Sequence, residues 1–254
     1  MQASATAAQE TGPDAVYWRF HDAVARAQIT SWLAGPRRLL IDISGPAAPS
    51  ATLATSAGHH VLRVEDPRDA GAPRPAPRPA AVEAGPLRVV SADASSLRFL
   101  ADHCADGLIA EDRTLSRRLA AEALVTEIGR VLRPGGRVLA SVDSLTRGMS
   151  VLAEQHHWPH LIDLPHADVV LVPWPDGLIT RCYGTEQLRE LFTSAGFEVN
   201  WIRPRTVLSA STVSYLLARD PGSFPRLVEA ELRTSADDSV GGQLVISATR
   251  KSRG

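Results

Sequence analysis

The stretch RRLLIDISGPAAPSATLATSAGHHVLRVED, residues 37–66, predicts a strand, a short loop, a helix and a second strand. The large aliphatic side chains of RLLIDI hardly alternate with polar ones, which is typical of a strand buried on both faces of a parallel sheet. Ser50 can cap the helix and Gly58 can end it in a left-handed turn. This layout is that of a nucleotide-binding crossover, although the loop between Asp42 and Ser50 contains a single glycine.

Strands continue to alternate with helices on the C-terminal side of this stretch. Further strands are predicted in LRVVSAD, ADGLIAED, RVLASV, FEVNWIRP and GGQLVISATRK. Helices are predicted over residues 15–33, 115–132 and 185–196, with two further helical pieces in 209–236. In the helix at 115–132, Leu124 and Ile128 would face the core while Arg117 and Arg118 face water. The alternation indicates a single α/β domain over residues 15–254, with a mostly parallel sheet.

Three segments depart from this pattern. Residues 1–14 are small and polar, which predicts a flexible N-terminus. Residues 67–86 contain alternating prolines and predict an extended linker where a crossover helix would normally lie. Residues 146–176 are rich in His, Trp and Pro and show no clear periodicity.

The composition limits the classes of function. The 254 residues are 44% hydrophobic and carry a net charge of −1, so the chain can bury a full core and has no basic field suited to nucleic acid or a membrane surface. Two cysteines make neither a disulfide framework nor a zinc site. No signal peptide is visible, and no apolar run reaches the length of about 18 residues that spans a bilayer. We therefore expect a cytoplasmic protein, and the Ala-, Arg- and Pro-rich composition indicates a bacterial source.

Three segments resemble the class I S-adenosylmethionine-dependent methyltransferases. EIGRVLRPGGRVLASV is similar to the helix, turn and strand that follow the fourth strand of that family, and EQLRELFTSAGFEV to its next helix and strand. GGQLVISATRK resembles the antiparallel seventh strand of that family. The resemblance covers residues 39–251. It implies a Rossmann-like, doubly wound, mostly parallel seven-stranded sheet with an antiparallel last strand.

The resemblance also implies a cofactor, S-adenosyl-L-methionine, and the residues that bind it. These are Asp42, Ser44, Gly45, Pro46, Glu65, Asp93, Ala94, Ala110 and Glu111. In the family, the acid matching Glu65 accepts hydrogen bonds from both ribose hydroxyls. The acid matching Asp93 holds the adenine amino group, and Ala110 and Glu111 match the floor under the methionine part of the cofactor.

The loop after the first strand departs from the family pattern. Ser44, Pro46 and Ala48 stand where the family normally has glycine, which is used because the backbone approaches the cofactor closely. Pro46 also fixes φ and removes an N–H group. Two hypotheses remain open: a methyltransferase that acts on an O, N or C atom of a small molecule, or a non-catalytic relative that serves as a partner or regulatory subunit. A homodimer or a heteromeric partner is compatible with both hypotheses.

A catalytic residue is difficult to predict, because the cofactor supplies the reactivity and a general base is needed only for some acceptors. The candidates are His156 and His157, in the segment after the fifth strand where the family often places groups that face the substrate. Each can equally be an exposed loop residue. We expect no metal, because Pro159 interrupts the helical spacing of His156 and His160.

Overall fold

The computed structural model describes residues 13–45, 48–67, 86–163, 169–174, 177–233 and 241–252. The terminus predicted over residues 1–14 and the linker predicted over 67–86 lie almost entirely outside the described residues. The helices are α1 (Pro13–Leu33), α2 (Ser50–Ser56), α3 (Ala121–Val131), α4 (Leu145–Glu154), α5 (Trp158–Asp163), α6 (Thr185–Ser194), α7 (Ala210–Arg219) and α8 (Phe224–Leu232). The strands are β1 (Leu39–Asp42), β2 (His60–Glu65), β3 (Leu87–Ser91), β4 (Ala105–Ala110), β5 (Leu132–Ser144), β6 (Val170–Pro173), β7 (Ile179–Tyr183), β8 (Phe197–Arg205) and β9 (Gln243–Arg250). Within the described ranges, no helix is both long and apolar enough to cross a membrane.

The strands form one sheet in the order β3-β2-β1-β4-β5-β7-β6. Strands β1 to β5 are parallel to one another, and β5 also pairs antiparallel with β9 from Arg137 to Asp143. β8 pairs antiparallel with the outer edge of β9. The predicted fold class and the antiparallel last strand are therefore confirmed.

Helices cover both faces of the sheet. On one face, α1 and α2 pack against the strands through apolar side chains that include Ile29, Trp32 and Ala54. On the other face, α3 and α6 bury a larger cluster that includes Leu124, Ile128 and Phe192. Burial on both faces explains why RLLIDI hardly alternates, because β1 lies in the middle of the parallel part of the sheet.

Two local predictions need correction. Helix α3 begins at Ala121 and not at residue 115, because residues 111–120 form a series of turns after β4. The segment predicted to be irregular, residues 146–176, contains most of α4, all of α5 and the strand β6. β6 pairs antiparallel with β7, which lies just after that segment, and the two strands extend the sheet beyond the seven expected. Alternation of buried and exposed residues in β6 is confined to four positions, too few for a clear period in the sequence.

The topology fixes where a ligand can bind. β1 has β2 on one side and β4 on the other, so the direction of the crossovers reverses between β1 and β4. In open α/β sheets, ligands bind outside the carboxyl ends of the strands at such a reversal. We refer to this position, at the ends of β1, β2, β3 and β4, as the crevice.

Candidate functional site

Asp42, the last residue of β1, organises the loop that borders the crevice. Its carboxylate is fully buried and accepts hydrogen bonds from the Ser44 N–H (2.9 Å) and the Ser50 hydroxyl (2.8 Å). Burial raises the pKa of Asp42, while the hydrogen bonds from Ser44 and Ser50 and the charge of Arg63 oppose that rise. Asp42 therefore ties the start of the loop to the first residue of α2.

The loop is also held from the neighbouring strands. Arg63, on β2, donates from its guanidinium to the carbonyl oxygen of Gly45 at 2.9 Å. The hydroxyl oxygen of Ser44 accepts the N–H of Glu111 at 2.9 Å, which joins the loop to the end of β4. A Cβ at Gly45 would lie 2.5 Å from Oδ2 of Asp112, so the absence of a side chain lets a carboxylate approach the loop backbone. Pro46 and Ala47 lie outside the described residues.

Two carboxylates adjoin each other at the end of β2. Asp66 is buried, and Oδ2 of its carboxylate lies 3.0 Å from the Arg118 guanidinium. Glu65 is half-buried and shares a strand face with Arg63, because alternate residues of a strand point to the same side. Glu65 therefore lies on the side of β2 where Arg63 reaches the loop of Gly45.

The ends of β3 and β4 contribute the remaining predicted residues. Asp93 is exposed, and its carboxylate accepts hydrogen bonds from the N–H (2.8 Å) and the hydroxyl of Ser95. Ala94 and Ala110 are buried, and so is Glu111. Of the described residues predicted to bind the cofactor, Glu65 and Asp93 are thus the ones whose side chains reach solvent.

Glu111 belongs to a buried polar network that the sequence did not reveal. Its carboxylate accepts two hydrogen bonds from Arg205, at 2.8 and 3.1 Å, and the two side chains are 4% and 2% exposed. Burial alone would raise the pKa of Glu111, but the Arg205 guanidinium outweighs burial and holds that pKa below its usual range. Arg205 also donates to the side-chain oxygens of Gln28 (2.7 Å) and Gln243 (3.3 Å).

His21, on α1, completes this network. Its Nε2 lies 3.2 Å from the side-chain oxygen of Gln243. Burial, and then the nearby charge of Arg205, lower the pKa of His21 to about 4. The imidazole is therefore neutral at pH 7.

Replacing His21 should remove part of the acid sensitivity of the fold. The pKa of His21 is about 4 in the folded chain and 6.5 in the unfolded chain. Between these pH values the unfolded chain binds more protons, so the free energy of unfolding falls as the pH drops from 6.5 to 4. We expect this group to contribute a loss of about 2 kcal/mol between pH 7 and pH 5, which His21→Gln abolishes. Urea unfolding at both pH values checks this, with exposed His60→Gln as the control. An equal pH dependence in His21→Gln and wild type would contradict it.

The end of β5 carries a second charged group. The Asp143 carboxylate is 3% exposed and lies 3.2 Å from Nε of Arg113. The guanidinium carbons of Arg113 and Arg147 lie 4.7 and 5.2 Å from the centre of the Trp174 ring. The indole N–H of Trp174 donates to the hydroxyl of Thr180 at 2.7 Å, which fixes the plane of the ring.

The loop between β4 and α3, residues 111–120, contributes one partner to each of the three buried ion pairs described above. Its side chains reach the ends of β8 (Glu111 to Arg205), β5 (Arg113 to Asp143) and β2 (Arg118 to Asp66). Asp112 and Arg113 have φ values of 57° and 60°, in the left-handed region that non-glycine residues seldom occupy. Such backbone conformations persist where the surroundings hold them, and they cluster at ligand sites.

The two candidate general bases lie away from the crevice. His156 and His157 follow α4, whose ten residues separate them from the end of β5 by about 15 Å along the helix. The His156 ring contacts Trp158 (5.8 Å between centroids), and the His157 ring contacts His160 (5.7 Å). The structure does not bring either histidine together with the predicted cofactor residues.

Sequence reasoning missed Arg205, His21, Asp143, Arg113 and the bridge from Arg118 to Asp66. A usable signal existed for Asp143, since it is an acid at the end of an aliphatic strand, as Asp42 is. Arg117 and Arg118 were assigned to a water-facing helix surface because the helix was extended too far toward the N-terminus. Arg205 gave no such signal, because its partner lies 94 positions away in the sequence.

Comparison with solved structures identifies the fold. A methyltransferase from Methanosarcina mazei, described as S-adenosylmethionine-dependent, aligns with a TM-score of 0.58 and 16% identity, over 89% of this chain and 98% of the other. The Burkholderia thailandensis 1,6-didemethyltoxoflavin N1-methyltransferase, solved with its substrate and S-adenosylhomocysteine, gives 0.57 and 17%, over 93% and 81%. A putative methyltransferase of Haloferax volcanii, in complex with the activator Trm112, gives 0.55 and 15%, over 91% of each chain. No protein-family model and no curated protein matches the sequence.

At 15–17% sequence identity, these structural similarities establish the fold alone. The chain therefore has the Rossmann-like fold of the S-adenosylmethionine-dependent methyltransferases, as the sequence resemblance predicted.

Proposed function

We propose that this protein is an S-adenosylmethionine-dependent methyltransferase that acts on a small-molecule acceptor. The observation that supports the proposal best is the placement of three carboxylates at successive strand ends of the crevice. Asp42 shapes the loop after β1, while Glu65 and Asp93 present accessible carboxylates after β2 and β3. The three neighbours compared above are described as methyltransferases, one of them as putative, and one was solved with S-adenosylhomocysteine.

We assign the loop of Gly45 to contact with the proposed cofactor. A Cβ on Gly45 would lie 2.5 Å from Oδ2 of Asp112, so the bare backbone there already accommodates a polar group despite the missing glycines. We assign Glu65 to the ribose hydroxyls because its side chain is half-buried at the end of β2, whereas the neighbouring Asp66 is buried. Asp93 would accept from the adenine amino group.

The cofactor, when bound, would supply a sulfonium methyl group that an acceptor atom attacks, with S-adenosylhomocysteine as the leaving group. The protein binds and orients the two reactants, which lowers the entropic part of the barrier. Glu111 cannot abstract a proton while Arg205 holds its carboxylate by two hydrogen bonds. We assign Glu111 and Arg205 to positioning the end of β4 beneath the methionine part of the cofactor.

A small acceptor fits the charge of the chain better than a nucleic acid, because the net charge of −1 provides no general attraction for phosphates. The alternative of a non-catalytic partner subunit is not favoured. The neighbour that is bound to Trm112 is itself described as a methyltransferase, so a partner protein and methyl transfer are compatible. The proposal keeps the expected cytoplasmic location.

Calorimetric titration with S-adenosylhomocysteine tests the cofactor site. We expect wild type to bind it, and Glu65→Gln to bind it about ten- to a hundredfold more weakly, because an amide offers one acceptor oxygen where the carboxylate offers two. Glu198→Gln, at an exposed position on β8, should match wild type. Absence of binding by folded wild-type protein at millimolar ligand would contradict the proposed function.

A further inference from the structure

The group at the end of β5 has no role in holding the cofactor as proposed above. It consists of Arg113, Arg147, Trp174 and the buried Asp143, and we call it the β5 cluster. Arg113 reaches it from the β4–α3 loop, Arg147 from the first turn of α4, and Trp174 from the end of β6. Three separate chain segments therefore converge at one place beside the crevice.

The β5 cluster carries a surplus of positive charge. The Arg113 guanidinium is 23% exposed and neutralises the Asp143 carboxylate, which is almost completely buried. Among the described residues, Arg147 forms no ion pair, and its guanidinium lies over the Trp174 ring. The cluster thus has two guanidinium groups, of Arg113 and Arg147, for the single carboxylate of Asp143. An anion that binds beside the two arginines would therefore meet a net positive charge.

The ion pair between Arg113 and Asp143 does not have the geometry of a good hydrogen bond. Arg113 Nε and Asp143 Oδ2 are both buried and lie within ion-pair distance, yet neither atom makes a hydrogen bond of normal geometry. Arg113 also has a φ of 60°, a conformation that an arginine adopts only where its surroundings hold it. Because Nε is buried against Asp143, a ligand can reach Arg113 through the exposed part of its side chain, which is 23% exposed.

The position of the β5 cluster indicates which reactant it serves. Arg113 follows Glu111 by two residues, so it adjoins the end of β4, under the proposed methionine part of the cofactor. The adenosine part is assigned to Glu65 and Asp93, on the far side of β1. The β5 cluster therefore lies on the side of the crevice that the proposed cofactor leaves open.

We infer that the methyl acceptor is an anion whose carboxylate or phosphate group binds between Arg113 and Arg147, beside the ring of Trp174. The role of this anion as methyl acceptor rests on the proposed function. Binding of the anion itself does not require the cofactor. Guanidinium groups suit such anions because their planar fork matches two anionic oxygens. The indole provides an apolar wall for the rest of the molecule.

Ligand-detected NMR with three one-ring probes tests the site on the full chain: benzoate, phenyl phosphate and the neutral benzamide. We expect at least one of the two anions to bind about tenfold more tightly than benzamide, since hydrogen bonds to charged groups are the stronger ones. Arg147→Gln should remove this preference and leave benzamide unchanged, and exposed Arg226→Gln on α8 should keep it. The inference fails if benzamide binds as well as both anions, or if Arg147→Gln keeps the preference.

The partner arginine needs a double variant, because Arg113→Gln alone would leave Asp143 buried without its counter-charge. Arg113→Gln with Asp143→Asn removes both charges and leaves the net charge of the cluster unchanged, so we expect it to fold and to bind the anions more weakly because one of the two guanidinium groups is lost. S-adenosylhomocysteine binding is measured separately on the same proteins. If the anion preference persists without cofactor binding, the proposed function fails while the anion site stands; if the cofactor binds and no preference is seen, the anion site fails alone.

Discussion

Arg205→Met lowers the free energy of unfolding by about 3–5 kcal/mol, because it leaves the buried Glu111 carboxylate without its counter-charge. The pair is more than nine-tenths buried, so water does not replace the lost hydrogen bonds. Gln28 and Gln243 lose the donor that now satisfies their side-chain oxygens. Equilibrium urea unfolding at pH 7 measures the loss.

A second substitution separates an unpaired charge from lost packing. Glu111→Leu combined with Arg205→Met removes both charges, and we expect it to recover most of the stability, since buried ion pairs can be replaced by apolar pairs at little cost.

The pH dependence of the Arg205→Met deficit gives a further check. In wild type, the lowered pKa of Glu111 gives stability that is present above the unfolded pKa and lost as the pH falls through the folded pKa. In Arg205→Met, protonation of Glu111 becomes easier, so the deficit should shrink in mildly acidic buffer; a deficit that does not change with pH would contradict this account.

Asp42→Ala weakens the binding of S-adenosylhomocysteine about a hundredfold or more. The buried Ser44 N–H and Ser50 hydroxyl both lose their acceptor, and each unsatisfied group costs about 1–3 kcal/mol. The loop can recover these bonds by turning toward water, and it then no longer borders the crevice. Isothermal titration calorimetry measures the loss of affinity.

Asp42→Asn distinguishes the shape of the loop from the charge of the carboxylate. Its side-chain oxygen still accepts the Ser44 N–H, and its NH₂ group can donate to Ser50, so we expect a loss well below that of Asp42→Ala. Asp102→Ala, on the exposed opposite edge of the sheet, should leave affinity unchanged. Equal affinities for Asp42→Ala and wild type would show that the loop is not organised as described.

The strand ends were predictable from sequence for a physical reason. A buried strand such as LLID has no polar residue before its last position, so Asp42 marks its end. On β2 the acid Glu65 is likewise the last residue, although Arg63 precedes it. Parallel strands bring these ends to one edge, which fixes the position of Glu65 and Asp93 relative to Asp42. The order of strands and helices was therefore sufficient to predict that these three acids lie at one edge of the sheet, without any knowledge of side-chain contacts.

The contacts across that edge were not predictable from sequence. The helical period predicted a helix from residue 115, but residues 115–120 form turns, and Arg118 pairs with Asp66 directly after β2. Arg113, earlier in the same loop, pairs with Asp143 on β5. The free energy of those ion pairs depends on how deeply they are buried, and the hydrophobic periodicity of a single segment gives no information about that burial. His156 and His157 stay a prediction: they follow β5 in the sequence, as expected, but the ten-residue helix α4 places them about 15 Å from the end of that strand.

A crystal structure of the full chain with S-adenosylhomocysteine tests the central claim most directly. The account predicts the ribose hydroxyls within hydrogen-bond distance of Glu65, the adenine beside Asp93 and the homocysteine part over Gly45 and Ala110. Ligand density at another place, or no ligand density in the crevice in saturating ligand, would contradict this placement.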